Sequence, residues 1–166
     1  WSPRSNLIGE QDANGTLLSN TYDLLDRCVR RDITPGPGVA ATTTFETFAY
    51  DGCSRRVLAS NDLSGCSFSY ASLGACLASS QNGAPTAYSY DGVGNCLGLT
   101  YPSGRVVTYT YDALDQLSSL NSAPKQGQAP ANLSQYSYDR PGRLSHITRA
   151  NGVNPRILWD GMVTQG

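Results

Sequence analysis

The chain has no apolar run approaching the roughly 18 residues that cross a bilayer, and its start shows no basic–apolar–small leader pattern. It has little that could do chemistry: His146 is the single histidine and Lys125 the single lysine. Lysine and arginine number 12 against 13 acidic residues, for a formal net charge of −1. That balance removes the basic excess that binding to nucleic acid or an anionic membrane requires. No Cys-x-x-Cys pair is present, so no zinc site is expected. No nucleophile elbow or other catalytic motif accompanies His146, which sits in a strand-like pattern, Leu144 to Thr148. No catalytic residue, cofactor or metal ligand is therefore assigned. No segment keeps a helical period. The chain begins at Trp1 rather than Met, as an internal or processed segment would.

Tyrosine and glycine are abundant, at 10 and 17 residues of 166. Hydrophobic residues make up 39% and charged ones 15%, a balance that separates the chain from disordered sequences. The tyrosines are ordered. Tyr-Asp pairs stand at Tyr22-Asp23, Tyr50-Asp51, Tyr90-Asp91, Tyr111-Asp112 and Tyr138-Asp139, with degenerate copies at Trp1-Ser2, Tyr70-Ala71 and Trp159-Asp160. The intervals between these anchors are 21, 28, 20, 20, 21, 27 and 21 residues. A fixed period in this range marks a repeat architecture, with the longer intervals marking loops. Residues 1–166 thus read as one array of about seven repeats. Insertions fall near 34–44, around Thr34-Pro35-Gly36-Pro37-Gly38, and near 121–133, from Ala123 to Pro130.

Each copy has an inner grammar. Four residues after the anchor come Ser5, Asp26, Ser54, Gly74, Gly94, Asp115 and Gly142, residue types suited to tight turns. The fifth position holds Asn6, Arg27, Arg55, Ala75, Asn95, Gln116 and Arg143, and the sixth is mostly apolar. A second turn is expected at Asn14-Gly15, Ser64-Gly65, Asn82-Gly83, Ser103-Gly104 and Asn151-Gly152, since such dipeptides are strong hairpin signals. Between turns the pattern has period two, with Tyr109 and Tyr111, Tyr88 and Tyr90, and Tyr136 and Tyr138 each sharing a face. The expected fold is all-β: tandem antiparallel hairpins forming a continuous twisted or spiralling sheet.

Tyr138-Asp139-Arg140-Pro141-Gly142-Arg143-Leu144 matches the consensus Tyr-Asp-x-x-Gly-Arg-Leu, and Tyr90 to Cys96 and Tyr22 to Cys28 are close variants. On these residues the chain resembles the YD-repeat (Rhs) family, which includes bacterial Rhs toxins, the C components of insecticidal toxin complexes, and teneurins. The resemblance implies a β-sheet that spirals into a hollow shell, in the bacterial members around a C-terminal toxic domain. About seven repeats are far fewer than such a shell needs. The family's Asp-Pro-containing self-cleaving segment has no counterpart here.

The recurring residues have a physical reading. The anchors Trp1, Tyr22, Tyr50, Tyr70, Tyr90, Tyr111, Tyr138 and Trp159 each bring a large ring, expected to stack into a ladder between strands. The adjacent Asp is expected to hold the following turn through backbone bonds. The competing idea, a row of carboxylates binding calcium, is interrupted at Ser2 and Ala71. Of the five cysteines, Cys28, Cys76 and Cys96 replace an apolar residue at the sixth position. Cys76 and Cys96 are one repeat apart, roughly 9.5 Å, too far for a disulfide at roughly 7 Å. A Cys53–Cys66 bridge would need local irregularity. Two sequons, Asn14-Gly15-Thr16 and Asn132-Leu133-Ser134, fall in expected turns or loops and are candidate glycosylation sites.

The function expected is structural: a repeat segment of a secreted or cell-surface protein that builds a shell, stalk or fibre. Its partners would be further repeats of the same chain or identical copies stacked end to end. The alternatives are a carbohydrate- or protein-binding adhesion module that uses exposed aromatics, with a surface glycan as partner, and part of a shell that encloses a toxin domain. No nucleic acid and no membrane insertion are expected.

Overall fold

The computed structural model describes residues 4–40, 42–155, 157 and 159. The anchor Trp1 and Asp160 lie outside them. The chain forms two compact units, residues 1–85 and 86–166. The first holds β1 (Gly9–Gln11), β2 (Leu17–Tyr22), β3 (Cys28–Thr34), β4 (Phe45–Tyr50), β5 (Arg56–Asn61), β6 (Gly65–Tyr70) and β7 (Cys76–Gln81). Each strand pairs antiparallel with the next in the chain. The second unit takes up β8 (Ala84–Tyr90) from Thr86 onward, followed by β9 (Cys96–Thr100), β10 (Val106–Tyr111), β11 (Leu117–Ala123), β12 (Ala131–Arg140) and β13 (Arg143–Arg149). These also pair antiparallel in chain order. The fold is all-β, as the alternation implied, and the described residues contain no helix long and apolar enough to cross a membrane.

Each unit is a single layer of strands. In β2 exposed and half-buried positions alternate from Leu17 to Tyr22, because period-two side chains face opposite sides of the sheet. With no second layer, side chains are covered mainly by their cross-strand neighbours. Among the described residues only Gly36, Val107, Ala123 and Ser134 are buried, and no side chain is fully so.

At each of the six tyrosine anchors the register slips by one residue. Thr21 pairs with Arg30 but Tyr22 pairs with Cys28, and the same shift precedes Tyr50, Tyr70, Tyr90, Tyr111 and Tyr138. The skipped residues are Val29, Val57, Leu77, Leu97, Ser118 and Ser145. Each slip is a β-bulge, which bends the strand and increases local twist.

The hairpin turns of each unit lie along two sheet edges. One edge carries the Tyr-Asp turns. The other carries the second turns and, in each unit, that unit's insertion. The first insertion lies between the end of β3 at Thr34 and the start of β4 at Phe45, and the second is shorter than the expected 121–133. β11 runs to Ala123 and β12 starts at Ala131, so ladder bonds claim residues that composition assigned to a loop. Ser64-Gly65 is also displaced. The turn spans Asn61 to Ser64, with Asn61 Oδ1 accepting the Leu63 and Ser64 N–H groups, and Gly65 already opens β6.

Both insertions fold back onto the preceding turn of the same edge. The Gln126 N–H donates to the Gly104 carbonyl at 3.1 Å. The Gly36 N–H donates to Thr16 Oγ1 at 3.3 Å, and Gly36 lies flat on the Asn14-Gly15 turn. A Cβ on Gly36 would sit 2.1 Å from the Asn14 carbonyl oxygen, so only glycine allows this approach. Gly36→Ala is expected to cost about 1–3 kcal/mol by forcing backbone displacement. Gly52→Ala, where a Cβ meets open space, should change stability by less than about 0.5 kcal/mol. Urea unfolding of the two variants makes the comparison.

Candidate functional site

The recurrent site is the turn after each anchor. At Tyr22, Tyr50, Tyr90 and Tyr111 the Asp N–H donates to the carbonyl four residues on, at 3.0, 3.0, 3.0 and 2.9 Å. The residue three positions beyond each Asp closes the inner turn on the Asp carbonyl. That residue has positive φ in all seven copies: Ser5 64°, Asp26 61°, Ser54 61°, Gly74 94°, Gly94 100°, Asp115 58° and Gly142 72°. This is a three-residue hairpin loop, a type I turn followed by a left-handed residue. Four of the seven are not glycine, and the surrounding bonds hold them in a conformation that costs an L-residue energy.

The carboxylate supplies those bonds. Asp51 Oδ1 accepts the N–H groups of Cys53 and Arg55 at 2.9 Å each, and Asp51 Oδ2 accepts Arg55 Nε at 2.7 Å. Asp23 does the same with Leu25, Arg27 and the Arg27 side chain, and Asp112 with Leu114, Gln116 and the Gln116 amide. Asp91 accepts from Val93, Gly94 and Asn95, and from Asn95 Nδ2 at 3.0 Å. Both oxygens of these aspartates are thus engaged within their own turns.

The Tyr138 copy, the closest match to the consensus, is built differently. Arg140 still pairs with Arg143, leaving a two-residue loop of Pro141 and Gly142. Proline first and a positive-φ glycine second suit a type II turn. Pro141 has no N–H to offer, and Asp139 instead holds Arg143 through Nε, at 2.7 Å, and Nη2.

The fifth-position side chain also reaches the neighbouring repeat. In the first unit Asn6 donates to Asp26 at 2.8 Å, Arg27 to the Asp51 carbonyl and Ser54 Oγ, and Arg55 to the Ala71 carbonyl at 2.7 Å. In the second unit Asn95 donates to Asp115 at 2.9 Å, and Gln116 Oε1 accepts the Gly142 N–H. Arg27 and Arg55 lie 4.8 and 4.9 Å from the ring centroids of the next anchors, Tyr50 and Tyr70. This reach escaped the sequence reading, although position five is a hydrogen-bonding side chain in every copy but Ala75.

The anchors return the contact. Tyr22, Tyr50, Tyr70, Tyr111 and Tyr138 donate their hydroxyls to the carbonyls of Leu7, Cys28, Arg56, Cys96 and Leu117, at 2.8 to 3.0 Å. Each acceptor belongs to the preceding repeat. Trp159 makes the equivalent bond through Nε1 to the Leu144 carbonyl at 2.7 Å. Tyr90 is half-buried like the other tyrosine anchors. The recurring contact at these anchors is therefore a hydroxyl-to-carbonyl bond, a contact the expectation of stacked rings did not include. Phe68 and Tyr70 do stack, but along one strand.

The remaining candidates fall elsewhere. His146 is exposed on β13 opposite Ser137. All five cysteines are free thiols, Cys53 exposed in its turn. Among the described residues no group of three His, Cys, Asp or Glu side chains could hold a metal. Asn14 is exposed on its turn, but Asn132 lies in β12 and not in a loop. Asn132 Nδ2 donates to Asn121 Oδ1 at 3.0 Å, and Ser134 of that sequon is buried. The second insertion ends before this asparagine, so strand pairing takes it up.

The comparisons with known proteins agree with this geometry. Residues 90–123 match the family model for the RHS Repeat. That stretch is an RHS, or YD, repeat. No curated protein matches it in sequence. Among solved structures, the crystal structure of TcdB2-TccC3 aligns with a TM-score of 0.73 at 15% identity, over 89% of this chain and 9% of that one. TcdB2-TccC3-TEV aligns at 0.68 and 18% identity, over 92% and 9%. A Photorhabdus luminescens Tc holotoxin pore carrying a TccC3 mutation aligns at 0.69 and 19% identity, over 92% and 9%. These likenesses show the fold, and this chain spans about a tenth of the length of the chains it matches.

Tyr50→Phe and Tyr111→Phe each remove one inter-repeat bond and keep the ring. Each should lower unfolding stability by about 1 kcal/mol, read from denaturant midpoints. A pH effect follows from the carboxylates. Hydrogen bonds from the Arg27 side chain hold Asp23 below the usual carboxylate range, the Gln116 N–H does so for Asp112, and Arg143 for Asp139. For Asp51 and Asp91 desolvation pushes upward, but the turn and side-chain bonds outweigh it. The folded state then binds fewer protons than the unfolded one, whose Asp titrates near about 3.9. The stabilisation is complete above that value and is lost as pH falls through the lowered native values. Urea midpoints should therefore stay level from about pH 7 to 5 and fall below about pH 4, less steeply in a variant with Asp23, Asp51 and Asp112 replaced by Ala.

Proposed function

We propose that this RHS segment is a non-catalytic length of wall in a larger β-sheet shell of a secreted or surface protein. The observation that carries the reading is the reciprocal bond between successive repeats. Fifth-position side chains reach forward to the next turn, and anchor side chains reach back to the preceding strand. Such a layer gains strength by adding neighbours and has almost no core of its own. The anchors, Trp1 and Trp159 included, are the positions we assign to this joining, across a single array of about seven repeats. The TcdB2-TccC3 structures, whose fold it shares, support further repeats as its immediate partners and an enclosed toxin domain as the content.

Two other readings compete. End-to-end stacking of identical copies would make a fibre. Exposed aromatics would make a glycan-binding adhesion module, but the tyrosine anchors are half-buried and the hydroxyls of Tyr22, Tyr50, Tyr70, Tyr111 and Tyr138 are bonded, which weakens that motive. Asn14, exposed on its turn, is the sequon we assign to carry a glycan if either does. Light scattering and negative-stain imaging discriminate among these readings. Hollow particles from the full-length protein that contains this segment support the wall. Extended filaments, from that protein or from the segment alone, overturn it in favour of the fibre.

A further inference from the structure

The Tyr70 copy lacks what every other described Tyr-Asp turn has. Its first position is Ala71, so no carboxylate is available to the N–H groups of Leu73 and Ala75. The corresponding N–H groups at Cys53 and Arg55, and at Val93 and Asn95, each reach an aspartate oxygen at 2.8 to 3.0 Å. Its fifth position is Ala75, whose methyl can neither clasp its own turn nor reach another repeat through a hydrogen bond. Within the turn two main-chain bonds remain, from the Ala71 N–H to the Ala75 carbonyl at 2.8 Å and from the Gly74 N–H to the Ala71 carbonyl at 3.0 Å, and Arg55 of the preceding repeat donates to the Ala71 carbonyl at 2.7 Å. The tip of this turn is Leu73, 96% exposed, which contributes no packing. The strand after the next turn contains Pro85, which brings no N–H into β8. The boundary between the two compact units falls immediately after that proline.

We infer that the stretch from Ala71 to Pro85 is a built-in yield point of the array. It opens first under mild denaturation or proteolysis and leaves the residues on either side folded. Stability in a repeat array is a sum of local and nearest-neighbour contributions, so the copy that lacks its own carboxylate clasp and its own reach to the next repeat, keeping only the contacts with the preceding one, sets where opening begins. Three independent positions coincide here: the absent carboxylate, the absent reaching side chain and the absent backbone donor. Each is within the tolerance of the fold, since β6 and β7 still pair over five residue pairs.

Native-state hydrogen exchange of the whole chain, read on peptides, tests the inference. Peptides covering 71–85 should exchange about tenfold faster than those covering 51–65 and 91–105, the scale expected when turn-capping bonds are missing. The first cut in limited proteolysis should fall in the same stretch. In Ala71→Asp with Ala75→Arg, which restores the clasp, exchange there should slow toward that of the other copies. In Asp91→Ala with Asn95→Ala, a second fast-exchanging stretch should appear at 91–105. Uniform exchange along the wild-type chain, a first cut elsewhere, or no slowing in the restored variant would each overturn the inference. None of these outcomes depends on whether the array closes into a shell, so this inference and the wall reading fail separately.

Discussion

The structure depends on a carboxylate folded back over its own turn. A two-strand hairpin is marginal in water, and a single sheet offers little burial to support it. The turn must also place an L-residue at positive φ, which is unfavourable unless the neighbouring backbone is held. An aspartate immediately after the anchor meets both demands. One oxygen satisfies backbone N–H groups that the turn leaves without ladder partners, and the other orients a long side chain four residues on. That oriented side chain is then available to the next repeat. Local order and inter-repeat attachment thus arise from one residue.

The tyrosine completes the attachment from the other side. Its ring supplies area to the half-buried face, and its hydroxyl meets a carbonyl of the preceding repeat. The β-bulge at each tyrosine anchor puts that anchor opposite the sixth-position residue of its own repeat, as Tyr50 lies opposite Arg56, and the carbonyl of Arg56 then receives the hydroxyl of the following anchor, Tyr70. Tryptophan can replace tyrosine at Trp159 because its ring N–H serves the same carbonyl geometry. Phenylalanine would keep the area and lose the donor, which explains the preference for tyrosine at the other described anchors. An array assembled this way is extended by adding copies, which suits a wall more than a catalytic pocket.

Variation is concentrated where the fold tolerates it. In each unit the long insertion sits on the edge away from that unit's aspartate turns and settles over the preceding turn, the first through Gly36 and the second through Gln126. The aspartate edge admits a shorter two-residue loop at Pro141-Gly142 and an unclasped one at Ala71 to Ala75. Identity to the consensus is therefore a poor measure of how a given turn is held. The best-matching copy uses its aspartate as a partner for Arg143 and not as a cap on the turn.

The period, the strand alternation and the residue types at position four were legible in the amino-acid sequence, because backbone geometry imposes them locally. Spacing placed the anchors, and glycine, serine and aspartate at position four announced the left-handed turn. The all-β class and the RHS resemblance followed from those features alone. What the sequence left open depends on pairing between residues distant in the chain. The reach of Arg27 to the Asp51 turn, the hydroxyl bond of Tyr50 to Cys28, and the bulge at each anchor exist only once strands lie side by side in one register. For the same reason Asn132 was misplaced. Its neighbours look like a loop by composition, but the ladder with β11 draws them into a strand. Local preference wrote the repeat, and cross-strand hydrogen bonding decided how each repeat grips the next.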